Sequence, residues 1–480
     1  MIFNKNKFIK FILILCFLFS QKNCEISATT HTNKTFLLPR PQGSNLALEL
    51  SIYHDHIFDI KNKQKTHVQA TGFYQAQDKG INVGKYFGIN GKNSFTIGDS
   101  VSYDIENLHI FYNQLTDKNL SPSGKVVFDA EQQMAGVRLD LFQDIAKKFF
   151  VKISSPFVYV SNNLRMKVLQ ETTDSRGANL TEFFAGHFIK TSMPTTSQAE
   201  LKKAKIKGQK SKIGFANLDF SLGYKFFKNQ RSHFFVDVLI GCPTGNVSRG
   251  EYLFEPIYGN GGHFTLGWGF DASCTLWQRE KHEGKLIFAF NQKYSVESSE
   301  YRTVPVKENA GSLKLNLKHY YLAAKNGQLP NLPIFPAANI LTQKMSVRPG
   351  NELDGLAIFN FKSGRFLIDL GYEGYFKEKE SIKLKDWQDN TYGILNEAQA
   401  IPATGFDINA ALISLNKENF DINGAATPSQ FTNKVFASFG YNFSILKNLA
   451  SLGLGASYEF ATSNHEIENY AFWAKLICSF

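Results

Sequence analysis

The sequence predicts an all-β fold: a transmembrane antiparallel up-and-down β-barrel of about 14 strands, within a range of about 12 to 16, carrying long extracellular loops. Three observations carry this prediction: an alternation that runs to the last residue, an export signal at the start, and a series of strands whose polar face bears charge.

The alternation is clearest at the C-terminus. Reading back, Phe480, Cys478, Leu476, Ala474, Phe472 and Tyr470 are apolar, and Ser479, Lys475 and Asn469 between them are polar, with Trp473 and Ile477 as exceptions. A period of two means one apolar and one polar face of a strand. At the other end, Lys5, Lys7 and Lys10 precede the apolar run from Phe11 to Phe19. That run is too short to span a bilayer as a helix, which takes about 20 apolar residues, and it reads as a secretory signal. The signal is assigned to residues 1–20, with cleavage as late as residue 28. Neither Cys16 nor Cys24 follows the small residue that a lipid anchor requires.

Between these ends the same pattern recurs. Leu218, Phe220, Leu222, Tyr224 and Phe226 alternate with Asp219, Ser221, Gly223 and Lys225, and a short polar turn leads to Phe234, Val236, Val238 and Ile240 opposite Asp237. Leu266, Trp268 and Phe270 alternate with Gly267, Gly269 and Asp271; Leu452, Leu454 and Tyr458 alternate with Ser451, Gly453 and Glu459. A dry core cannot take charge on so many strands without large desolvation costs. The apolar faces are therefore expected to meet lipid and the polar faces a lumen. Two weaker strands are expected near 312–322 and 340–348. Short turns fall at one end and the long connections, 162–211, 243–262 and 379–430, at the other.

Composition agrees. A mean hydropathy of -0.23 looks soluble, but alternation hides a barrel from any sliding window. The 44 Phe and 19 Tyr suffice for a lipid-facing wall with aromatic girdles. Removing residues 1–20 takes away three Lys and no acid, which lowers the net charge from +11 to about +8; in an exported barrel this does not point to nucleic acid. Cys242, Cys274 and Cys478 show neither metal-ligand spacing nor an evident disulfide pair.

With the Phe472-Trp-Ala-Lys-Leu-Ile-Cys-Ser-Phe480 terminus, the chain resembles Gram-negative outer-membrane β-barrel proteins of porin-like channel or transporter type, without a match to one family. The resemblance implies location in the bacterial outer membrane and contact with its lipids. It also implies that Tyr470, Phe472, Leu476 and Phe480 form the signal read by the barrel assembly machinery. The domains expected are the signal, an N-terminal segment 29–130 that plugs the lumen, extends into the periplasm or supplies first strands, and a barrel over 131–480. Within 29–130, Asn45 to Ile52 reads as a short capped helix and Val68 to Gln75 as a strand.

Strand parity selects a candidate lumen lining: Arg138, Asp140, Lys152, Asp219, Lys225, Asp237, Asp271, Lys293, Lys314, Lys318, Asp369, Glu373, Lys377, Lys434, Glu459 and Lys475. Nine are basic and seven acidic, so an open, water-filled pore is expected to prefer anions weakly. No catalytic, cofactor-binding or metal-binding set emerges. His54-Asp55-His56 reads as ordinary polar surface, because in an extended segment Asp55 points away from the two His. The function expected is passive diffusion of small solutes through a porin-like channel rather than enzymatic chemistry. The alternatives are a plugged transporter of hydrophobic compounds and an outer-membrane adhesin or enzyme. Nothing in the sequence sets the oligomeric state.

Overall fold

The computed structural model describes residues 34–58, 64–89, 91–100, 102–106, 110–111, 122–173, 179–187, 198–229, 231–307, 317–326, 334–395, 412–445, 448–462 and 466–480. The predicted signal and Lys314 lie outside them.

Twelve antiparallel strands close on themselves: β1 Thr66–Gln77, β2 Glu131–Asp144, β3 Phe149–Asn163, β4 Leu218–Lys228, β5 Ser232–Cys242, β6 Thr265–Arg279, β7 His282–Ser295, β8 Gly350–Ser363, β9 Phe366–Lys377, β10 Gln430–Ile445, β11 Asn448–Ala461 and β12 Asn469–Ser479. Each pairs with the next in sequence. The seam is sealed by β1 against β12, from His67 opposite Ser479 to Gln77 opposite Asn469. A short strand, Lys210–Phe215, continues the edge of β4 along β3. The fold is that of outer-membrane β-barrel proteins: a closed antiparallel ring, which leaves no unpaired edge in hydrocarbon. Among the described residues no helix is long and apolar enough to cross a membrane.

The count is twelve rather than fourteen, at the lower bound of the expected range, and both weaker strands fall outside the ring. Residues 317–322 hold a 3-10 turn, Lys318–Tyr320, and Thr342–Arg348 pairs instead with Ser298–Thr303 and Ser381–Leu384. The alternation of Thr342–Arg348 is real, but it serves a small sheet built by the long connections; residues 312–316 lie outside the described residues. The ring also begins at Thr66, inside the 29–130 stretch, rather than at 131.

Facing follows from parity. Leu139, Leu222, Val238, Leu266, Leu454, Phe472 and Leu476 are exposed on the outside, Leu454 at 63%. Tyr470 and Phe480 also point outward. Trp473 and Ile477, the two exceptions in β12, point inward and are buried. Trp473 has room because its cross-strand partner is Gly455, where an added Cβ would meet the indole at 2.3 Å. Phe436 opposite Gly371 and Phe150 opposite Gly223 repeat this device.

Short turns join the strands at the end where β1 starts and β12 stops; in one of them Gly364 takes φ +60°. At the opposite end the long connections fold into a cap. Three small sheets, the helix Gly80–Phe87 and the helix Leu180–Ala185 enclose a core that includes Phe87, Phe95, Phe128, Phe183, Phe184, Tyr320 and Met345.

Candidate functional site

The lumen is not left to water. Residues 34–57 run down it from the cap to the short-turn end, from which the chain enters β1. At the cap, Thr35 N–H donates to Gly424 O at 3.0 Å and Leu38 N–H to Thr427 Oγ1 at 3.0 Å. Two short helices follow, α1 Leu46–Leu50 and α2 His54–Phe58. Asn45 caps α1, its Oδ1 accepting from Leu48 N–H at 3.0 Å. The apolar side of α1 (Leu46, Ala47, Leu48, Leu50) packs on Ile287, Leu356, Ile358, Phe436 and Trp473, and Ile52, Tyr53 and Ile57 pack on Phe142, Phe150, Phe235, Leu367 and Ile477.

Polar contacts fix the same segment at three heights. Near the cap, Arg40 reaches Asp354 at 2.9 Å, Glu459 at 2.9 Å and Glu373. Glu373 also accepts from Leu46 N–H at 2.9 Å. At mid-height Arg138 pairs with Glu49 at 2.7 Å and with Asp140 at 2.8 Å, and Lys475 donates to Ser51 O at 2.8 Å. Toward the turns, Ile52 N–H donates to Asp369 at 2.6 Å, Lys362 pairs with Asp55 at 3.0 Å, and the two ring nitrogens of His56 meet Ser479 at 2.7 Å and Ser451 at 2.6 Å. His54, Asp55 and His56 are thus buried in helical chain inside the ring, not an ordinary polar surface on an extended segment.

The parity-selected charges on ring strands all point inward and are largely buried. Several are paired across the wall: Lys152 with Asp271 at 3.0 Å and Asp237 at 3.4 Å, Lys293 with Asp219 at 2.9 Å, Lys225 with Asp144, and Lys434 with Glu373 at 3.2 Å and Glu459 at 3.3 Å. Lys377 is fully buried. Lys318 is the exception: it sits in the 3-10 turn among the long connections, outside the lumen. Sequence reasoning passed over Arg40 and Glu49, because a short non-strand segment carries no parity; the Asn45 cap was the one local signal in that stretch. Among the described residues no group of His, Cys, Asp or Glu is placed to hold a metal ion.

Two spaces remain. A pocket of about 30 Å³ adjoins Arg40 and Glu459 below the cap, and a polar vestibule of about 490 Å³ opens at the short-turn end beside His54, Asp55, His233, Lys285 and Lys362. In the cap, Arg302 lies 3.1 Å from the Phe36 ring centre and binds Glu300 at 2.9 Å and Glu380 at 3.2 Å; His263 meets Glu300 at 2.7 Å. Burial alone would raise the Glu300 carboxyl, but Arg302 and His263 hold it below its usual value.

No family model and no curated protein sequence matches the chain. Solved structures similar to it include an outer-membrane channel from Pseudomonas putida F1 (9% identity, TM-score 0.40, covering 87% of this chain and 96% of that one). They also include the CymD monoaromatic hydrocarbon channel (9%, 0.31, 95% and 98%) and a Pseudomonas aeruginosa FadL homologue (8%, 0.32, 93% and 100%). At that level of similarity the barrel assignment rests on the closed strand ladder itself.

Proposed function

We propose that the protein is an outer-membrane channel for small polar solutes, held shut by residues 34–58 and opened when that segment shifts. The observation that carries this reading is the seating of Arg40 on three wall carboxylates, with α1 and α2 filling the lumen below it. A bilayer location is supported by the apolar outer face of the closed ring. Polar solutes are favoured over hydrophobic ones because the wall that the plug covers is lined by Arg138, Asp140, Lys152, Asp271 and their neighbours.

The test is conductance in planar bilayers. The full chain should stay closed for most of a recording, and deletion of residues 34–58 should raise the mean current at least tenfold. A steady open-pore current from the full chain, or a deletion variant that folds and conducts no more, overturns the reading.

A further inference from the structure

Arg40 occupies a seat that fits more than its own side chain. We infer that this seat is a binding site for a solute bearing a guanidinium group, which competes with Arg40; the inference rests on the displaceable plug proposed above.

The seat is part of the wall, not of the plug. Asp354 comes from β8, Glu373 and Tyr375 from β9, and Glu459 from β11. The carboxylates divide their oxygens by side. Oε2 of Glu373 and of Glu459 faces Lys434 of the wall at 3.2 and 3.3 Å, whereas Oε1 of each faces Arg40. Lys434 ion-pairs with one oxygen of each group, and Thr432 of the wall also donates to Glu459 Oε1 at 2.6 Å; Oε1 of each glutamate, with Asp354 Oδ2, faces Arg40. The Tyr375 ring lies 4.5 Å from the Arg40 guanidinium carbon. Carboxylates converging beside an aromatic face select a planar, delocalised cation over a compact ammonium.

Arg40 does not use all that the seat offers. Asp354 is 4% exposed, yet its Oδ1 has no hydrogen-bond donor among the described residues, and neither does the buried Tyr375 hydroxyl. With Arg40 withdrawn, three buried carboxylates face one lysine, so the empty seat is net negative and desolvated, which is costly until a cation returns. The adjoining pocket of about 30 Å³ has room for a water and not for a solute beside Arg40. Occupancy is therefore exclusive: either the plug or the ligand holds the seat, and ligand binding releases the plug's upper anchor.

Titration calorimetry of the Arg40→Ala protein in detergent, with methylguanidinium chloride as probe and methylammonium chloride as control, tests this directly. The folded state is checked by heat-modifiable mobility, and Arg40→Gln replaces Arg40→Ala if the latter does not fold. The expected result is one methylguanidinium per chain, bound at least tenfold more tightly than methylammonium. Binding should be at least tenfold weaker in the full-length wild type, where Arg40 competes, and absent from Arg40→Ala/Glu373→Gln. Absent binding in Arg40→Ala, affinity no better than for methylammonium, or binding that survives Glu373→Gln overturns the site. The plug reading fails separately, through a folded 34–58 deletion that does not conduct. Methylguanidinium binding can be observed whichever way that recording turns out.

Discussion

The two faces of each ring strand obey different rules. Outward side chains such as Leu222, Leu266 and Leu454 need no particular partner, because hydrocarbon accepts any apolar group equally. Inward side chains are matched to particular partners, often hundreds of positions away: Arg40 with Glu459, Glu49 with Arg138, Asp55 with Lys362. Outer-face stability is therefore additive and tolerant, whereas the inner face behaves as a network in which one loss strands several charges.

The largest mutational cost is expected on the inner face. Glu373→Ala removes the acceptor shared by Arg40, Lys434 and the start of α1, and should destabilise the folded barrel by about 3–5 kcal/mol, since breaking a buried pair leaves its partners uncompensated. Denaturant midpoints in detergent or lipid measure this. A loss below about 1 kcal/mol would mean that water reaches the Arg40 seat, erasing the contrast between the faces.

On the outer face, Leu454→Arg should cost about 2–4 kcal/mol if its height is near the bilayer midplane. Leu454→Phe at the same place should be nearly neutral. The inner counterpart Ser457→Arg sharpens the comparison. A water-filled lumen predicts a mild change there, but Ser457 is buried, so the larger side chain must displace packed neighbours and the cost should rival that of Leu454→Arg.

A third contrast concerns pH. Glu466 precedes β12 in the short connection from β11, and burial pushes its carboxyl up to about 8, with Lys377 and the Ile467 N–H opposing. The folded protein thus holds this proton more tightly than the unfolded chain, whose carboxyl titrates near about 4.3. Its contribution to stability is fully present below that value and is lost as pH rises through about 8. Glu466→Gln should flatten the fall in stability between pH 5 and pH 9 and leave the protein more stable at the alkaline end. An unchanged pH profile would place Glu466 in water.

The ring was legible in the sequence because its signal is local. A period of two over ten or more residues fixes both a strand and its facing, and even Trp473 betrays itself by breaking that period. The site was legible only by half. Parity picked Glu373, Glu459 and Lys434 as inward, but who neutralises them depends on Arg40, a residue in a stretch with no period at all. The small sheets of the cap misled the count for the same reason: Thr342–Arg348 alternates like a ring strand, and only its partners reveal that it is not one.

The direction of the plug constrains how such a barrel is made. Residue 34 lies at the cap and Thr66 at the opposite rim, so the chain passes through the ring before contributing its first strand. The plug also bonds to that strand: Gln69 donates to Glu49 O at 2.8 Å and Tyr53 to His67 O at 2.8 Å. Zipping β1 to β12 with the segment seated would encircle a cord already in place, whereas a ring sealed first would have to be threaded afterwards like a needle. Closing the seam over the seated segment would make sealing the ring and stoppering its bore a single event.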